Sequence, residues 1–179
     1  VRLCRGNPAR ARHVSRGEAR ELVDICKALS SVIRKPVAIV DVGFRPLARA
    51  EGAGEGSGVP VDPEWFSPDR LERSGRRELL GEIQRTRGPL RVRGRGEPAA
   101  RDRIVCPIRL AGEPVGYLWV LEGTDPLTDL DLRAAEHGAV VAALHILRQQ
   151  TVASVEARVQ NSFVQALIQG ELGKTTGLE

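Results

Sequence analysis

Cys4, Cys26 and Cys106 carry the most reactive side chains of the chain, and His13, His137 and His145 are the natural bases to activate them. Thiol chemistry needs a thiolate held beside a base, a metal or a second thiol. No Cys-x-x-Cys spacing occurs and no histidine flanks a cysteine, so neither a redox pair nor a zinc site is spelled out. Three scattered thiols make no disulfide framework and point to the cytoplasm. Cys106 stands in an apolar strand-like run. It is either a redox thiol or pocket-lining group, or a small buried hydrophobe beside Ile104 and Ile108. His137 and His145 fall about two turns apart on a predicted helix, so they share a face but cannot share one metal ion. No Ser-His-Asp set and no paired catalytic carboxylates can be assembled. The chain is therefore expected to be no enzyme and to need no metal or cofactor.

Three further stretches have the residue types to bind something. Gly52, Gly54, Gly56 and Gly58 alternate in a loop that could cradle a phosphate, but no lysine or convincing helix start follows as the phosphate-loop mechanism requires. Arg91, Arg93 and Arg95 recur at period two and could line an anion site, or form a solvated strand edge. Trp65 and Phe66 lie in the loop-rich middle, where an aromatic pair can close over a ligand or anchor the loop to the core.

These residues must be positioned by recognisable elements. Ser15 and Glu18 form a capping box, and Leu22, Ile25, Cys26, Leu29, Val32 and Ile33 follow at helical spacing up to Pro36. Residues 36–42 are short, apolar and β-branched and predict a central strand, with a turn at 43–46 and a returning strand at 47–50. Residues 51–77 are Gly- and Pro-rich loop. A short helix is predicted over 78–86 and a short strand over 90–93. Residues 104–110 and 115–121 read as a hairpin about the turn at 111–114, with Pro107 marking a bulge or an edge. Thr128 caps a last helix, with Asp131 at its third position. Ala139 to Gln169 contains no Gly or Pro, a helix of roughly 45 Å. Its later half repeats apolar residues at Val152, Val155, Val159, Phe163 and Leu167. That stripe either pairs with a second copy, making a homodimer, or folds back on its own domain.

Composition bounds the rest. Apolar residues at 41% and charged residues at 28% are the balance of a soluble globular domain. No apolar run approaches the roughly 18 residues of a membrane span. The net charge of +4 leans toward acidic partners, but aromatics at 3% are too few for base-stacking platforms, so direct nucleic-acid binding by this stretch is not expected. The absence of an initial methionine and the polar end read as a piece of something longer.

The order of helix, hairpin, loop-rich middle, second hairpin and long helix resembles a GAF domain. The segment Val105-Cys106-Pro107-Ile108, followed after a turn by Gly116-Tyr117-Leu118-Trp119-Val120, resembles that family's sheet hairpin. Val155-Glu156-Ala157-Arg158, Phe163 and Ala166-Leu167-Ile168-Gln169-Gly170 resemble the segment that joins the GAF domain to the next domain in PucR/CdaR-type transcription regulators. The resemblance implies an α+β sandwich, an antiparallel sheet flanked by helices. It implies an arm at 1–14, a sensor domain at 15–148, a signalling and dimerisation helix at 149–171 and a tail at 172–179. It implies a small-molecule effector in a cavity between the sheet and the middle loop, which makes Trp65, Phe66, Cys106, Ile108 and Tyr117 the pocket candidates. DNA would be bound only through a helix-turn-helix part that this chain does not include. The rival expectations are a structural dimerisation module without a ligand, or a GAF-fold thiol enzyme such as a free methionine sulfoxide reductase.

Overall fold

The structure, a computed structural model, describes residues 16–52, 77–94 and 101–175. The elements run α1 (Arg16–Ile33), β1 (Val37–Asp41), β2 (Pro46–Ala50), α2 (Arg77–Arg85), β3 (Leu90–Val92), β4 (Arg103–Leu110), β5 (Glu113–Leu121) and α3 (Asp129–Thr175). The strands form one antiparallel five-stranded sheet in the order β2-β1-β5-β4-β3. This is the expected antiparallel sheet with flanking helices and a long last helix.

Local chemistry explains where each element stops. Ser30 O accepts the N–H of Arg34, which sits in the left-handed region at φ 56°, and Pro36 forbids further helix. The β4–β5 hairpin turns on Ala111 and Gly112, both at positive φ, which matches a tight primed turn and the right-handed twist of the strands. The β1–β2 turn is held by the Asp41 carboxylate, whose Oδ1 accepts the N–H groups of Gly43 and Arg45, each at 2.8 Å. At the start of α3 the capping pair forms as the sequence predicts. Asp131 Oδ2 accepts from Thr128 N at 2.7 Å and from Thr128 Oγ1 at 2.9 Å.

The chain divides into two units, Val1–His145 and Ile146–Glu179. In the first, residues paired across β1, β5 and β4 share a face of the sheet. One face carries Val37, Ile39, Ile104, Cys106, Ile108, Leu118 and Val120, and the helices α1 and α3 pack there. A Cβ on Gly138 of α3 would come within 2.8 Å of Leu29 and 3.1 Å of Leu118, so glycine lets α1, α3 and β5 meet closely. The other face carries Ala38, Val40, Val105, Tyr117 and Trp119, joined by Phe44, Ile83 of α2 and Val92 in one buried cluster. In the second unit the helix continues to Thr175. No helix among the described residues is long and apolar enough to cross a membrane.

Two polar features lock this arrangement. Lys35 Nζ lies 3.4 Å from Asp131 Oδ2, with both side chains less than a tenth exposed. Ser30 Oγ lies 2.9 Å from each of the carbonyl oxygens of Lys35 and Glu51. Replacing Lys35 by Met leaves the buried Asp131 carboxylate without its cation and is expected to cost about 3 kcal/mol in urea unfolding, where an unchanged midpoint would contradict the assignment. At Gly116, an added Cβ would sit 2.6 Å from the Val40 carbonyl oxygen, a backbone atom that cannot swing away. Gly116→Ala is therefore expected to lower stability by roughly 2–3 kcal/mol. A wild-type melting temperature in that variant would show that the strands can part at no cost.

Candidate functional site

The two faces of the sheet divide the sequence-predicted pocket residues. Cys106 and Ile108 point to the α1/α3 side, whereas Tyr117, paired with Pro107, points to the other. A single pocket on one face cannot be lined by all three. Trp65 and Phe66 lie outside the described residues. Val152 and Val155 of the second unit are exposed, and Val159, Phe163 and Leu167 follow on the same helix.

On the α2 side the aromatic residues are packed together. Phe44 stacks on Tyr117 with ring centroids 5.0 Å apart and planes at 8°, and meets Trp119 edge-on at 6.4 Å. Phe44 achieves this from φ 62°, a strained conformation for a residue with a side chain, held by the Asp41 turn. The Arg103 guanidinium lies 6.0 Å from the centre of the Trp119 ring. Burial raises the Tyr117 hydroxyl above its ordinary value, and the nearby Arg109 charge pulls the other way. The sequence marked Phe44 only as part of a turn. The signal for its role is the spacing Asp41-x-Gly43-Phe44, an Asx turn that can hold a left-handed residue.

On the α3 side, space opens at the edge of the sheet. β3 pairs with β4 only from Arg103 to Val105, and Pro107 beyond it has no N–H to offer a further strand. A cavity of about 330 Å³ lies there. Cys106, Pro107 and Arg109 contribute from β4, Glu136, Ala139, Val140, Ala143 and Leu144 from α3, and Arg87 from the loop after α2. Arg109 is fixed in place. Its Nη1 donates to Gly112 O at 2.5 Å and its Nη2 to Thr86 O at 2.6 Å. Its Nε is buried and has no partner among the described residues. Arg87, Arg109 and Glu136 were not singled out in the sequence. Arg109 was visible as the one charge inside an otherwise apolar strand run, but the other two come from different elements and converge only through the fold.

Arg91 and His145 have structural partners. Arg91 donates from Nη2 to the Leu127 carbonyl, and Arg93 is exposed, while Arg95 lies outside the described residues. His145 Nδ1 lies 2.7 Å from Glu21 Oε2, joining α1 and α3. Among the described residues no His, Cys, Asp and Glu side chains group so as to hold a metal ion. Cys26 and Cys106 are both buried and free. Burial pushes each thiol up to about 12, reinforced at Cys106 by the Glu136 carboxylate.

No family model matches the chain, and no curated protein matches it. Among solved structures it is similar to the GAF domain/HD domain protein from Geobacter sulfurreducens. Identity there is 16% and the TM-score 0.52, over 75% of this chain and 95% of that one. It is also similar to the cofactor binding GAF domain of the nutrient sensor CodY from Clostridium difficile, at 19% identity and a TM-score of 0.50, over 76% of this chain and 86% of that one. The fold is GAF-like.

The thiols have a clear pH signature. At pH 8 few of the Cys26 and Cys106 sulfurs are ionised, so in a Cys4→Ser variant iodoacetamide should alkylate them at least roughly a hundredfold more slowly than a free cysteine peptide. The rate should climb with pH. The folded state keeps these protons while the unfolded state loses them above the ordinary thiol value, so stability should fall as pH rises from about 8.5 toward 12. Labelling of the native protein at the peptide rate, followed by intact mass, would refute the assignment.

Proposed function

We propose that the chain is the regulatory, signal-sensing and dimerising module of a DNA-binding transcription regulator of the PucR/CdaR kind, with DNA contacted by a helix-turn-helix part outside this chain. The reading rests above all on the two-sided character of α3. Its inner residues Ala135, Ala139, Ala142 and Ala143 are buried, while Leu130 and Val141 stand at least half exposed on the outer side. Val152 and Val155 continue an exposed apolar pattern in the second unit. Covering such residues gains roughly 1.5–3 kcal/mol for each one fully buried, and a second copy of the same helix offers a self-complementary surface.

The GAF-like fold supports the sensing part of the reading, because the similar domain of CodY is described as the cofactor-binding part of a nutrient sensor. A signal would act by favouring one arrangement of paired helices over another, through its differential affinity for the two. The raised, buried thiols support a non-catalytic role, since a thiol enzyme needs a thiolate at neutral pH.

Sedimentation velocity tests the proposal. The 179-residue protein is expected to run as a dimer, and Val141→Glu and Val155→Glu, each alone, should weaken that dimer about tenfold or more while leaving the circular dichroism of the fold intact. A parent protein that sediments as a monomer at high concentration, or a dimer indifferent to both substitutions, would overturn it.

A further inference from the structure

We propose that the cavity at the edge of β4 binds a small organic acid: one carboxylate on a compact apolar body, branched-alkyl or phenyl in size. The volume of about 330 Å³ stands at the lower end of the range of small-molecule sites. Its charged lining is two guanidinium groups, Arg87 and Arg109, against one carboxylate, Glu136. A monoanion balances that set. A neutral ligand leaves a cation unmatched, and a dianion meets the repulsion of Glu136.

Arg109 supplies the recognition. Two backbone carbonyls already orient its guanidinium, so little side-chain freedom is left to lose on binding. Each Nη atom carries a second N–H beyond the one it gives to those carbonyls, so the fixed guanidinium still has donors to offer. A carboxylate oxygen is the strong acceptor that fits a fixed guanidinium. Arg87, exposed on the loop after α2, closes the anionic end from the solvent side.

The body of the ligand meets hydrocarbon. Ala139, Val140, Ala143 and Leu144 present a strip of α3, and Val140 and Leu144 are 55% and 62% exposed without a ligand. Covering them removes apolar surface from water. At the floor, Cys106 is 3% exposed and its thiol stays neutral, so it adds no charge against an anion. Binding here holds whether or not the chain dimerises, because every lining residue belongs to one unit of one copy.

Isothermal titration and thermal melting of the 179-residue protein test this with hydrocinnamate and isocaproate as probes and hydrocinnamide as the uncharged control. Both acids are expected to bind saturably, one per chain, and to raise Tm with concentration. The amide should bind at least about tenfold more weakly. Arg87→Gln should weaken the acids about tenfold with the melting of the free protein unchanged, since Arg87 is exposed. Val140→Trp, a change on the exposed side of the helix, should fill the cavity and abolish binding. No saturable heat with either acid, equal affinity for acid and amide, or full affinity in both variants would each overturn the proposal. A monomeric protein that still binds the acids would sink the dimer reading alone.

Discussion

A cation and an anion taken out of water together, Lys35 and Asp131, set the frame in which everything else sits. The pair joins the end of α1 to the first turn of α3, positions separated by the whole sheet in sequence. Each partner is also committed locally. Asp131 holds the cap of α3 through Thr128, and the carbonyl of Lys35 shares the Ser30 hydroxyl with that of Glu51. Gly52 follows at a point where an added Cβ would touch the backbone of Arg34 and Lys35. Buried ion pairs add little net stability on average, but they penalise every arrangement that separates them. Here that penalty specifies which end of α3 approaches which end of α1, and so where the helix lies on the sheet.

With α3 placed, the sheet becomes a shared wall between two chemically different layers. One layer is aromatic and closed, built around the Phe44–Tyr117 stack and Trp119. The other is aliphatic and helical, tight where Gly138 meets Leu29 and Leu118, and open further along α3 where β3 has ended. The cavity is thus a result of unequal strand length: three residues of β3 cannot cover eight of β4. Arg109 spans the gap by reaching the carbonyls at the end of α2 and in the hairpin turn, which joins three elements at the cavity rim.

Much of this was readable from residues in order. Alternation through Ile104–Leu110 and Val115–Leu121, with Ala111-Gly112 between, is enough to place the hairpin. Thr128 and Asp131 are enough to place the start of α3. Parity was not: pairing Leu110 with Glu113 in a regular ladder would set Tyr117 opposite Cys106, and only the irregularity between Ile108 and Arg109 moves it opposite Pro107, on the other face. What local pattern does not contain is convergence. Arg87, Arg109 and Glu136 come from a loop, a strand and a helix, and nothing in the spacing of one reports the other two. Phe44 is similar, since its position depends on a left-handed turn whose benefit is a stack against a strand far along the chain.

β5 lies in the middle of the sheet, and its neighbouring residues serve opposite layers: Tyr117 and Trp119 one, Leu118 and Val120 the other. Gaining or losing one codon upstream in this strand would swap indole and phenol rings into the helical layer and push aliphatic groups among the aromatics. Length changes in the hairpin are therefore tolerable only in pairs, or at the Ala111-Gly112 tip, where the reading frame of the pleat restarts. Divergent descendants of this domain should drift in their connecting loops while this strand keeps its phase.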